Sequence, residues 1–144
     1  MFSKACEYGL KAMISISAKS SRGERTNLKE IAGDIDSPEQ FTAKVLQQLS
    51  RNKLIHSVQG AYGGFEIPKD KLSKIRLIDI VRTIDGEKIF TGCGLGLEAC
   101  DANRPCPIHH KFAEIRNNLA KVLNETSLEE LATGVTGGLT FLHR

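Results

Sequence analysis

Three of the chain's four cysteines, Cys93, Cys100 and Cys106, lie in one short stretch, and His109 follows the last of them by three positions. Thiolates and imidazole are soft or borderline donors suited to iron–sulfur clusters and to zinc. Gly92, Gly94 and Gly96 surround the first cysteine. Glycine lets the backbone turn tightly and bring amide N–H groups close to a cluster sulfur. The stretch from Cys93 to His109 therefore reads as a metal site. Two rival chemistries use the same residues. Three cysteines and a histidine make a tetrahedral zinc set, although no Cys-x-x-Cys pair is present. Clustered exposed thiols can also act as a redox sensor with no metal. The sequence shows no phosphate loop, nucleophile elbow or carboxylate pair, so an enzyme is not expected.

Composition bounds the elements that must position this site. A chain of 144 residues suits one domain, or a small domain with an appendage. It can bury a core without disulfide staples. No run of 18 apolar residues is present, so no membrane span is expected. Glu7 and Lys11 interrupt any apolar run at the N-terminus, so the expected location is the cytoplasm. Four cysteines there favour metal or redox chemistry over a disulfide framework. The net charge of +3 is uneven: residues 1–76 hold 13 basic against 8 acidic side chains, and residues 77–144 hold 7 against 9. The basic half is the one suited to face phosphate. Cys6, outside the cluster, reads as a small buried hydrophobe.

In chain order, residues 4–19 read as a helix with Cys6, Leu10, Met13, Ile14 and Ser17 on one face. Ser20 to Arg25 reads as a loop. Asn27 and Glu30 form a capping-box pattern that opens a short helix carrying Leu28, Ile31, Ala32 and Ile35. A second helix follows at once, with Ser37 as N-cap, Pro38 at the first helical position and Gln40 completing a box. Phe41, Val45, Leu46 and Leu49 make its expected buried face. Two short helices joined by a tight turn are a helix-turn-helix, whose second helix enters the DNA major groove by its N-terminal end. The outward candidates for DNA contact are Ser37, Glu39, Gln40, Thr42 and Lys44, with Arg51 further along. Leu54–Val58 and Phe65–Ile67 flank Gly60-Ala61-Tyr62-Gly63-Gly64, a hairpin signal. Helix-turn-helix plus hairpin makes a winged helix, with Gln59, Tyr62 and Gly63 as candidate contacts at the wing.

Lys69 to Lys74 reads as a charged connector. Leu77, Ile80, Val81 and Ile84 mark a further helix that Gly86 caps. After the cysteine loop, Pro107 opens a long helix whose apolar stripe is Ile108, Phe112, Ile115, Leu119, Val122 and Leu123. Few elements remain to cover it, so a two-fold homodimer interface is expected. Ser127 caps a last short helix, and the glycine-bearing tail is expected to fray. The fold class is mainly α with a small β-hairpin. Residues 1–76 form the winged helix-turn-helix domain, 77–106 the connecting helix and cysteine loop, and 107–144 the dimerisation helix and tail.

This order, with Tyr8-Gly9-Leu10 in the first helix, Gly60-Ala61-Tyr62-Gly63-Gly64-Phe65 in the wing and the three spaced cysteines, resembles the IscR–NsrR group of Rrf-type bacterial transcription regulators over about residues 1–132. The resemblance implies a homodimer that binds a palindromic operator in double-stranded DNA. It also implies an iron–sulfur cluster on Cys93, Cys100 and Cys106, 2Fe–2S in preference to 4Fe–4S. It offers two fourth ligands: His109, as in IscR-like members, and Glu7, where NsrR-like members place a carboxylate that reaches across from the partner subunit. His109 is preferred, since imidazole is the commoner cluster ligand. The chain departs from the group in a first cysteine interval one residue longer, in Gln59 where a basic residue is common, and in the extra Cys6.

Overall fold

A computed structural model describes residues 1–143. The elements are α1 (Lys4–Ser20), α2 (Leu28–Asp34), α3 (Glu39–Arg51), β1 (His56–Val58), β2 (Gly64–Glu66), α4 (Lys69–Leu72), α5 (Leu77–Asp85), α6 (Lys88–Thr91), α7 (His109–Glu125) and α8 (Leu128–Thr136).

Helix α1 is the hub, because its sequence is small or apolar nearly all round. Cys6, Ala12, Met13 and Ile16 are fully buried, and Gly9, Ser15, Ser17 and Ala18 are buried beside them. Helices α2, α3, α5 and α8 all pack on it. A Cβ on Gly9 would stand 2.2 Å from Ile84 Cδ1 and 3.3 Å from Val45 Cγ1, so glycine lets α5 and α3 close on α1. Burying a side chain such as Met13 or Ile16 contributes about 1.5–3 kcal/mol.

Half of the capping box expected at Asn27 and Glu30 forms: Asn27 Oδ1 accepts from Glu30 N at 2.9 Å, while Glu30 Oε1 takes its hydrogen bond from the Asn27 side-chain Nδ2 at 2.9 Å instead of from the backbone N–H. Lys19, only 20 % exposed, ties α1 to α2 through Asp34 at 2.9 Å and Glu30 at 3.4 Å. The turn to α3 has no glycine. Asp36 takes the left-handed conformation at φ 51°, which a short polar side chain tolerates.

The start of α3 differs from the sequence expectation. Its first helical residue is Glu39, and no side chain caps it. Ser37 Oγ is paired with Thr42 Oγ1, whose hydroxyl donates to Pro38 O at 2.8 Å. Gln40 therefore completes no box. Phe41, expected in the core, is 38 % exposed and sits edge-on to Tyr8 at 5.3 Å between ring centroids.

The hairpin pairs His56 with Glu66 and Val58 with Gly64 in antiparallel register. Thr26 adds a third short edge, exchanging two backbone hydrogen bonds with Phe65 at 3.1 and 2.7 Å. Gly64 has φ 134°, and a Cβ there would meet Thr26 O at 2.6 Å. Arg25 braces the wing, donating from Nε to Glu66 at 3.0 Å and from Nη1 to Tyr62 O at 3.2 Å.

The charged connector includes the single turn of α4. Gly86 ends α5 as expected, with φ 76° and its N–H donating to Arg82 O at 3.0 Å. Gln48 Nε2 on α3 donates to Thr83 O on α5 at 2.9 Å, fixing α3 to the element that leads into the cysteine loop. Helix α7 starts at His109, two residues after Pro107. The chain beyond it returns to the N-terminal half. Arg76 and Ser127 pair as an isolated bridge, Leu128 is fully buried in the main core, and α8 packs on α1. The expectation of a frayed tail is corrected: α8 runs to Thr136, and Leu142 packs against the core. Leu128, Leu131, Ala132 and Val135, at i, i+3, i+4 and i+7, give α8 the apolar face that packs on α1.

Candidate DNA-reading surface and cysteine site

The exposed face of α3 carries Glu39, Gln40, Lys44 and Arg51. Thr42 is corrected from outward to inward: it is fully buried and spends its hydroxyl on Ser37 and Pro38. Ser37 is half-buried by the same contact. On the wing, Tyr62 is 91 % exposed, Gln59 is exposed and Gly63 is partly covered. A Cβ on Gly63 would meet Val58 O at 2.2 Å, so the tight tip accepts only glycine. Between α3 and the wing lies a groove lined in part by Gln47, Arg51 and Ser57. Gln47 was not singled out from the sequence, yet it lies seven residues after Gln40, two turns along the same face.

The cysteine loop runs from the end of α6 to the start of α7. All three of its cysteines are partly exposed free thiols, whereas Cys6 is a buried one. Among the described residues the four predicted ligands form two neighbouring pairs rather than one closed set. Cys100 Sγ lies 3.3 Å from His109 Nδ1. Cys106 neighbours Cys93, whose thiol is held below its ordinary range, chiefly by the backbone N–H of Leu95 and then that of Leu97, with smaller help from Cys106 and the N–H of Gly96. Leu95 N donates to Cys93 Sγ at 3.4 Å. Gly96, at φ 75°, makes the turn that aims these amides inward. The other candidate ligand, Glu7, is exposed in the first turn of α1 and pairs with Lys4 at 3.4 Å. His110 turns its ring edge-on to His109, 5.0 Å away.

A residue missed by sequence reading completes the site. Arg116 on α7 donates from Nη2 to Cys100 Sγ at 3.2 Å and from Nη1 to Gly92 O at 2.7 Å. Its Nε is buried and has no acceptor among the described residues. The sequence signal is spacing: His109, Phe112 and Arg116 stand at i, i+3 and i+7, on one face of a helix. Arg116 and Cys93 also line a cavity of about 580 Å³ with Asp85, Lys88, Phe112 and Leu119.

The donor set fits an anionic thiolate-bound metal group. The thiols are accessible, amide N–H groups aim at the Cys93 sulfur, and a guanidinium donates to the Cys100 sulfur, the polarity that a negatively charged metal–thiolate group meets. An unpaired buried donor on Arg116 adds to the same polarity. Cys93, Cys100, Cys106 and His109 would hold such a group, and no disulfide competes for the thiols.

The apolar stripe of α7 divides in two. Leu123 is buried, and Leu119 and Ala120 pack with it against Ile78 and Val81 of α5. Ile115 and Val122 are 56 % and 59 % exposed, and Ile108 is at the exposed border. Leu119, expected at the interface with Ile115, is half-buried: it packs on the α5 cluster and also lines the open cavity beside Ile115.

Comparison with known proteins agrees with this architecture. A family profile described as "Rrf2: Iron-dependent Transcriptional regulator" matches residues 2–134. The chain is 29 % identical over 133 residues to a putative HTH-type transcriptional regulator of Aquifex aeolicus, covering 91 % of this chain and 90 % of that one. It is 27 % identical over 129 residues to the HTH-type transcriptional regulator NsrR of Oceanobacillus iheyensis, covering 89 % and 86 %. Among solved structures, CymR, the global cysteine regulator of Bacillus subtilis, superposes with a TM-score of 0.76 at 28 % identity, covering 92 % and 96 %.

Proposed function

Because the chain belongs to the Rrf2 family of transcriptional regulators, we propose that it acts as a homodimer on a palindromic double-stranded DNA operator, under control of an iron–sulfur cluster on Cys93, Cys100 and Cys106. The observation that carries this reading is the cysteine loop, which holds three accessible thiols: Cys100 lies beside His109 and the Arg116 guanidinium, and Cys93 lies beside Cys106 and inward-facing amide N–H groups. His109 is the fourth ligand of a 2Fe–2S form, with Glu7 of a second copy as the alternative. A 4Fe–4S form would use the same three thiolates. When bound, the cluster supplies a centre whose occupancy and oxidation state can change. The protein's part is to hold the ligands and to pass their arrangement on.

The path for that is physical. The loop follows α5 and α6 and leads into α7. Helix α5 is tied to α3 by Gln48 and to the N-terminus of α1 by Asp85, which accepts from Ser3 N at 3.0 Å and also from its hydroxyl. A two-fold dimer reads two half-sites only when both recognition helices reach successive major grooves. A ligand that favours one loop arrangement shifts that population by its differential affinity.

The test is anaerobic purification with visible spectroscopy and iron and sulfide analysis, followed by operator binding of loaded and cluster-free protein at one salt concentration. Coupling of about 1–3 kcal/mol between cluster and operator is expected. Colourless protein holding zinc would replace the cluster by a zinc site. A second reading, a metal-free thiol sensor, is favoured by Cys106 neighbouring Cys93. Metal-free protein whose operator binding changes only on thiol oxidation would establish it.

A further inference from the structure

We propose that Arg116 is the positioning residue of the cysteine site: it staples the loop to α7 and supplies the positive charge that a thiolate-bound group meets. The inference rests on the cluster reading above for its second half only. Arg116 reaches two points of the loop at once. Gly92, whose carbonyl it binds at 2.7 Å, stands at the loop's entry, where α6 ends. Cys100, whose sulfur it binds at 3.2 Å, lies in the middle of the loop. Between these points the loop is exposed and glycine-rich, and the staple ties its two ends to one side chain. The planar guanidinium suits this task, because its fixed fork serves two acceptors from one side chain.

The seat of Arg116 is built rather than incidental. Its guanidinium carbon lies 5.9 Å from the Phe112 ring centre, and Nε is buried. Phe112 in turn packs under Gly94, where a Cβ would come within 2.7 Å of the ring. One turn of α7 thus shapes the loop by contact and by charge. His109, on the same helix face, approaches the same Cys100 sulfur. Ligation at Cys100 is therefore sensed directly by α7, the helix expected to face a second copy. A cation and an N–H donor at a ligand sulfur also stabilise the added negative charge of a reduced cluster, which raises its potential.

The test uses the full chain and three forms: wild type, Arg116→Gln and Arg116→Lys. In cluster-free protein, hydrogen exchange should show lost protection over residues 93–100 in Arg116→Gln, while α1 and α5 keep theirs. Arg116→Lys should not restore it, since a single ammonium does not reproduce the fork. In anaerobically loaded protein, electrochemical titration should give a lower midpoint potential for Arg116→Gln, and Arg116→Lys should recover part of the shift because it keeps the charge. Unchanged loop protection in Arg116→Gln overturns the staple. An unchanged potential in the loaded variant overturns the electrostatic role. If wild type takes up no iron, the cluster reading fails, and the exchange result alone decides whether Arg116 holds the loop.

Discussion

Cys6 and Cys93 carry the same side chain in opposite environments. Cys6, on the buried face of α1, is fully enclosed, and burial, followed by the charge of Asp85 and a hydrogen bond to it, pushes its thiol up to about 12 from an ordinary 9.0. Cys93 is shifted down by inward-facing amides. In metal-free protein at neutral pH, an alkylating reagent followed by mass spectrometry should label Cys93 early and Cys6 only on unfolding. Rapid Cys6 labelling in folded protein would contradict its packing. The raised value has a consequence for stability. The unfolded chain loses the Cys6 proton near pH 9 while the folded chain keeps it to about pH 12. Stability is then full below pH 9 and falls between those values. Cys6→Ala should flatten the alkaline fall in urea midpoint relative to wild type. A second pair of residues separates reading from support. Gln40 is exposed at the start of α3, whereas Thr42 is buried and hydrogen-bonded. Gln40→Ala should alter base preference by about 1–3 kcal/mol at one operator position. Thr42→Val should cost about 1–3 kcal/mol of folding stability and leave base preference alone. The reverse pattern in binding and denaturation assays would put α3 in a different rotation.

At the scale of elements, the decisive contact is the crossing of α1, α3 and α5 at Gly9. A methyl group there would overlap Ile84 and press on Val45. Gly9→Ala should therefore destabilise the protein by about 1–3 kcal/mol, the usual cost of overpacking, despite alanine's better helix propensity. Urea denaturation measures it, and a stabilised variant would mean that Ile84 moves aside freely. The same crossing carries Gln48 to Thr83, so loosening it should also weaken operator binding. The wing depends on a comparable backbone approach at Gly64 and on Arg25 reaching across to Glu66.

For the whole molecule, α7 presents Ile115 and Val122 to solvent while Leu119 and Leu123 complete the intramolecular core. Ile115→Asp combined with Val122→Asp should yield a monomer by sedimentation, with folding retained and operator affinity lost. A dimer of undiminished strength would place the interface elsewhere. Leu119→Asp, by contrast, should damage the fold itself. The basic half makes a separate prediction. Lys44 and Arg51 are exposed on α3. Replacing either by Gln should weaken binding to every sequence and flatten the dependence of affinity on salt by about one phosphate contact.

Much of this was fixed by local sequence. The helix-turn-helix, the hairpin, the caps at Asn27, Gly86 and Ser127, and the fold class follow from periodicity and turn chemistry, which act over a few residues. So do the three clustered thiols, because ligand type and spacing are chemical facts about the chain. The membership of an Rrf-type regulator family also rests on motifs visible in the sequence and is matched by residues 2–134. Tertiary structure decided what local pattern leaves free. Thr42 and Phe41 sit near the edge of the apolar face of α3, where a small rotation exchanges buried for exposed. Leu119 and Ile115 share one stripe, and only the position of α5 divides core from free surface. The C-terminal segment joined the N-terminal core because α1 offers small residues on a further face, a complementarity between elements more than 100 residues apart. Arg116 became part of the cysteine site for the same reason: a hydrogen bond to Cys100 spans 16 residues and forms only when α7 folds back beside the loop.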